Sequence, residues 1–159
     1  MNTNTLIGSL VGLVVGAALA LAIVWFSAPS MMMMVDESPY GFEETVAEFQ
    51  AAADEAGWSV LEARDMQAVV ANHGADVDPV MVFDLCSSRH SIEILEQDAE
   101  RIVTPMMPCR VSIYETSDGT VHIARMNSGL VARTFGGLIS DVMQTASGET
   151  EAFIATVVN

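Results

Sequence analysis

The sequence predicts an α+β domain behind one membrane-spanning helix, and three observations carry that expectation. Leu6 to Phe26, LIGSLVGLVVGAALALAIVWF, is a run of 21 residues without a charge, and about 20 apolar residues cross a bilayer as a helix. The rest of the chain mixes helical stripes with short apolar strand runs in the order strand, helix, strands, helix. Between two of those runs stands Asp118-Gly119, a strong two-residue hairpin signal.

Composition narrows the function classes. The chain has 159 residues and a formal charge of −15, from 21 acidic residues against six basic ones, all arginine. No basic stripe exists to neutralise phosphates, so nucleic acid is not an expected partner. The acidity reads as a solvated surface. Two cysteines are too few for a disulfide scaffold and lack zinc-finger spacing.

The expected organisation is a tail at 1–5, a transmembrane helix at 6–26, a linker at 27–30 and an α+β domain at 31–159. A cleaved signal fits less well: MNTNT carries no Lys or Arg, the apolar run is long, and Ala28-Pro29 is a poor cleavage junction. Trp25 and Phe26 suit the far interface. No arginine flanks either end, so orientation rests on the short polar tail and the acidic bulk that follows. Both favour a domain outside the cytoplasm, in the periplasm. Gly8, Gly12 and Gly16 repeat every four residues and so offer a face for a second copy or another membrane subunit.

Met31 to Val35 reads as a first strand. Its four methionines invite a copper reading, since thioethers suit Cu(I), but alternate strand side chains point to opposite faces. Phe42 to Ala56 is an amphipathic helix with Phe42, Val46, Phe49, Ala53 and Ala56 inward, Gly41 before it and Gly57 ending it. Trp58 to Leu61 is a strand. Asp65 caps a helix to His73, stopped by Gly74. Val80 to Cys86 is a central strand, apolar on both faces except for Asp84. Ser87 or Ser88 opens a helix with Ile92 and Leu95 inward. Cys109 to Glu115 and Thr120 to Asn127 form the hairpin. Gly129 to Ala146 is a long helix, with Val131, Phe135, Leu138 and Val142 as its apolar row, and Ser147-Gly148 breaks it before an apolar end at Ala152 to Val158.

FDLCSSRHSIEIL, MMPCRVSIYE, the DG and MN pairs and the upstream FEETVAEFQAAADEAGWSV together resemble the domain of unknown function 302 family. Cys86 and Pro108-Cys109 fall on its characteristic positions, while Ser88 stands where the family usually has proline. The resemblance covers nearly all of the soluble part. It implies a single antiparallel sheet with helices on one face, similar to the TATA-binding-protein arrangement, and it carries no activity over.

Three readings of Cys86 and Cys109 stay open: packed thiols, a disulfide if the domain is extracytoplasmic, or a redox or soft-metal pair. For the third, His90 lies four residues after Cys86 at a helix start, where thiol pKa values fall, and Met106 and Met107 supply soft donors. No zinc ligand set and no Cys-x-x-Cys or Cys-x-x-Cys-His motif is present. No catalytic residue is assigned: His73, His90 and His122 lie in separate elements, and no nucleophile elbow or phosphate loop exists. No cofactor is assigned either. A two-residue turn at Asp118-Gly119 would put Arg110, Tyr114 and Arg125 on one open sheet face, a candidate anion or partner site; the rival role for the arginines is to neutralise Asp84 and Glu115. The expected function is a membrane-tethered binding or interaction module, acting as an accessory subunit or small-ligand carrier. The competing reading is a thiol-redox or soft-metal protein using Cys86 and Cys109.

Overall fold

The computed structural model describes residues 3–107 and 109–159, so Met1 and Asn2 of the tail and Pro108 lie outside the described residues. The chain divides into two units, one ending at Met32 and one running from Met33 to Asn159.

The first unit is a single helix, α1, Thr3–Met32. Within it Leu10–Met32 is long and apolar enough to cross a membrane. The expected linker at 27–30 is part of this helix, although Pro29 stands inside it. Proline removes one backbone donor; one residue on, the Ser30 hydroxyl donates to the Ser27 carbonyl at 2.9 Å.

The second unit is built from β1 (Met33–Glu37), α2 (Phe42–Glu55), β2 (Ser59–Asp65), α3 (Met66–Ala71), β3 (Val80–Cys86), α4 (Ser88–Leu95), a 3-10 segment (Glu100–Met106), β4 (Cys109–Glu115), β5 (Val121–Met126), α5 (Ser128–Ala132) and α6 (Gly137–Val158). The strands make one sheet in the order β1-β5-β4-β3-β2, with every neighbour antiparallel. The methionine run is split: Met31 and Met32 close α1, and Met33 and Met34 open β1 on the sheet edge.

One face of the sheet is covered by helices and carries the main core. Phe83, Leu85, Val111, Ile113, Val121 and Ile123 pack there against Val46, Phe49 and Ala53 of α2 and Ala146, Phe153, Ile154 and Val157 of α6. A satellite cluster of Ile94, Val103, Ile139 and Val142 joins α4 and the 3-10 segment to α6. Local signals fix several element ends. Asp65 caps α3 by accepting from the Ala68 amide at 2.8 Å, and α2 keeps Gly41 before it and the positive-φ Gly57 after it.

Four expectations are corrected. In α4 the buried residues are His90 and Ile94, while Ile92 and Leu95 are exposed. The single C-terminal helix is instead two, broken before Gly136 and Gly137, both at positive φ. Ser147-Gly148 does not break α6: a side chain on Gly129 would meet Ser147 Oγ at 3.1 Å, so Gly129 and Ser147 let α5 approach α6. Finally, Ser117-Asp118-Gly119 is a three-residue loop. Glu115 faces Val121, Gly119 takes φ 83°, and the Asp118 carboxylate accepts from Thr116 Oγ1 at 2.7 Å and the Thr120 amide at 3.1 Å. These bonds hold the Asp118 carboxyl below the usual carboxylate range. The extra loop residue slips the register by one and turns every β5 side chain to the other face.

Candidate functional site

The two cysteines come together because β3 and β4 are antiparallel neighbours with Leu85 opposite Cys109. Cys86 ends β3 and Cys109 begins β4, so both lie at one end of the sheet. The chain leaving Cys86 turns through Ser87 into α4, and the chain reaching Cys109 arrives from the 3-10 segment. Between these connections and α6 is a small apolar hollow of about 50 Å³. Its lining brings together Cys86, Cys109, His90, Met106 and Met107 with Met143 of α6. Both thiols are free and half-buried. The Cys86 sulfur lies 3.2 Å from Ser91 Oγ. Burial, followed by the charge of Cys86, pushes the Cys109 thiol up from its ordinary pKa, so Cys109 rests protonated at neutral pH.

A polar network closes one side. His90 is buried, and its Nε2 lies 2.9 Å from Glu149 Oε2. The same oxygen accepts from Trp58 Nε1 at 3.2 Å, and Arg89 reaches both Glu149 oxygens at 2.9 Å. Burial alone would raise the Glu149 pKa; the hydrogen bond and charge of His90, the charge of Arg89 and the Trp58 bond outweigh it, and the net direction is down. A carboxyl depressed in the folded state contributes stability that is present above its unfolded pKa, about 4.3 for glutamate, and is lost as pH falls through the folded value. Glu149→Gln is therefore expected to flatten the fall in stability on acidification from about pH 5 downward, read as the difference between the two proteins' denaturation midpoints at each pH. Parallel curves would show that Glu149 contributes no such linkage.

A second hollow of about 130 Å³ adjoins the first and shares Met106, Met107, Cys109 and Ser128 with it. Arg110, Arg125 and Glu151 also border it.

The arginine site expected on the open face is not formed. Arg125 faces Val111 across the ladder rather than Ser112, so it belongs to the covered face and is 6% exposed. It ion-pairs with Asp36 of β1 and Glu151 of α6. Burial disfavours its charge, but the bonds to Glu151 and Asp36 prevail and raise its pKa. Arg110 does lie on the open face, where its Nε donates to Asp84 at 2.9 Å; Arg64 holds the other Asp84 oxygen at 2.7 Å. Tyr114 packs against His122, ring centroids 5.2 Å apart. On α1, a side-chain carbon added at Gly8, Gly12 or Gly16 would meet no described atom within 4 Å outside the helix's own backbone.

Sequence reasoning missed Glu149 and Met143. For Glu149 a signal is present, since Val142, Ala146, Glu149 and Phe153 follow helical spacing; Met143 lies within the expected helix but off its apolar row. Ending the helix at Ala146 cut the stripe before the glutamate.

One antiparallel sheet, packed on a single face by helices and hollowed at the end where its two cysteines emerge, defines a single-sheet α+β domain. The chain belongs to the family described as "Domain of unknown function DUF302", which matches residues 34–157. It is similar to the crystal structure of the uncharacterized conserved protein DUF302 from Bacillus stearothermophilus, with a TM-score of 0.71 at 16% identity over 80% of this chain and 98% of that one. At that identity the likeness concerns the fold. None of the curated proteins matches the chain.

Proposed function

We propose that this protein is a membrane-tethered binding module whose α+β domain works outside the cytoplasm and takes a small ligand into the hollow beside Cys86 and Cys109. The observation that carries the reading is the gathering of both cysteines, three methionines and His90 around one apolar hollow. Ligand sites are concave and mostly apolar, with a few placed polar groups. The anchor is α1, apolar over Leu10–Met32, and its glycine row would pack on a second copy or on another membrane subunit.

The test is thiol accessibility in the folded full-length chain. In detergent, both cysteines should react with a small maleimide before denaturation, and bound ligand should slow the reaction. In intact cells, a reporter active only in the cytoplasm should be silent at the C-terminus. Thiols that react only after unfolding would make Cys86 and Cys109 packing residues, and a bright reporter would reverse the orientation. A second reading, a reversible Cys86–Cys109 disulfide, draws on the two free thiols sharing that hollow. Non-reducing mass analysis of protein from native membranes decides it: a chain lighter by two hydrogens supports the disulfide.

A further inference from the structure

We propose that the ligand of this hollow is a soft monovalent metal ion of the copper(I) class, held by the sulfurs of Cys86 and Cys109 with a thioether from Met106, Met107 or Met143. The inference rests on reading the hollow as the ligand site and gives that ligand a chemical class. Size is the first argument. About 50 Å³ holds an ion, whereas clefts for drug-sized molecules begin near 300 Å³.

Donor chemistry is the second argument. Five sulfur side chains border the hollow, and no carboxylate is among its described lining residues. Calcium and magnesium take oxygen ligands. Zinc takes four donors in a tetrahedron, yet among the described residues no three of His, Cys, Asp and Glu converge to hold an ion. Thiolates and thioethers select Cu(I), and a filled-shell monovalent ion is satisfied by two or three sulfurs. His90 borders the hollow but is engaged through Nε2 by Glu149, so its part is to fix the wall that α4 presents. None of Met31 to Met34 is among the described lining residues.

Binding is an exchange of protons for metal. Each cysteine that becomes a ligand gives up its S–H proton to solvent as the sulfur–metal bond forms, with no change in the oxidation state of sulfur or metal. One or two protons should therefore leave per ion bound, and affinity should rise with pH.

The experiment uses the full-length reduced chain in detergent, without oxygen, titrated with Ag(I) and with Cu(I) against a Cu(I) chelator of known affinity. The readouts are heat, proton release and ultraviolet absorption from thiolate to Cu(I). One ion per chain is expected, with equimolar Zn(II) failing to displace it. Met31→Leu, Met32→Leu, Met33→Leu and Met34→Leu together should leave that affinity unchanged. Met106→Leu, Met107→Leu and Met143→Leu together should weaken it by at least about tenfold, the lower end of what even outer-shell partners of a metal cost on removal. Cys86→Ser with Cys109→Ser should abolish it. If the paired serine variant misfolds, Ag(I) protection of the wild-type thiols against maleimide replaces it. An ion that persists without the cysteines, or that leaves with the Met31–Met34 run, overturns the proposal. Thiols that label in the folded chain but bind neither Ag(I) nor Cu(I) defeat the metal assignment alone; thiols that never label until unfolding defeat the ligand site as well.

Discussion

Phe49→Ala is expected to destabilise the α+β domain by about 3–5 kcal/mol. Phe49 is fully buried and is the point where α2, the sheet and α6 meet: its ring centroid lies 5.1 Å from that of Phe83 and 5.9 Å from that of Phe153. Removing the ring takes away transfer free energy and leaves a void that three elements would have to close together. Domains are typically stable by only about 5–15 kcal/mol, so the variant should lie near the edge of unfolding. The check is denaturant unfolding of the full-length chain in detergent, with buried Trp58 as one reporter. A loss below about 1 kcal/mol would mean that the core re-closes and that the aromatic cluster is not its centre.

Elements with strong local signals were legible from the sequence. The Val80–Cys86 strand appears with the bounds its apolar run suggests. The Asp65 cap makes the bond its position implies. Where two choices were locally equivalent, distant contacts decided. An eight-residue helix gives two turns, and three apolar residues, Ile92, Ile94 and Leu95, spread around it do not fix which side faces inward. His90 and Ile94 are buried in α4 because Glu149, far along the chain, holds His90 and because Val103 and Val142 cluster with Ile94. The C-terminal break follows the same logic. One glycine in a helix costs about 1 kcal/mol, and α6 runs on through Gly148, whereas two successive residues at positive φ, Gly136 and Gly137, cannot continue a helix.

The candidate site was half legible. Cys86, Cys109, Met106 and Met107 lie near strand ends in a short stretch, so an antiparallel pairing of their strands was enough to gather them. Met143 and Glu149 come from α6, and no local pattern brings a C-terminal helix to that end of the sheet. The arginine pair shows the opposite error. A hairpin loop of three residues in place of two carries Arg125 from the open face to the covered one, and the Asp-Gly signal alone does not distinguish the two loops.

Arg125→Met is expected to lower stability by about 2–3 kcal/mol, while Arg110→Met costs less than about 1 kcal/mol. The two differ in what surrounds them. Arg125 ties Asp36 on the edge strand to Glu151 on α6, and its side chain is 6% exposed. Without the guanidinium, two carboxylates face each other beside the core. Removing one partner of a fully buried pair costs about 3–5 kcal/mol. The figure here is smaller because Asp36 is 44% and Glu151 30% exposed, so water relieves part of the repulsion. Arg110 is 64% exposed, and its loss leaves Asp84 still held by Arg64. The cost of Arg125→Met should come from the stranded charges rather than from lost packing. Adding Asp36→Asn and Glu151→Gln to it should therefore recover most of the stability, since neutralising the whole cluster removes the uncompensated charge. Denaturant midpoints of the single, double and triple variants measure this. A triple variant no more stable than Arg125→Met would show that the arginine acts through its packed stem, and an Arg125→Met protein as stable as wild type would return Arg125 to the surface.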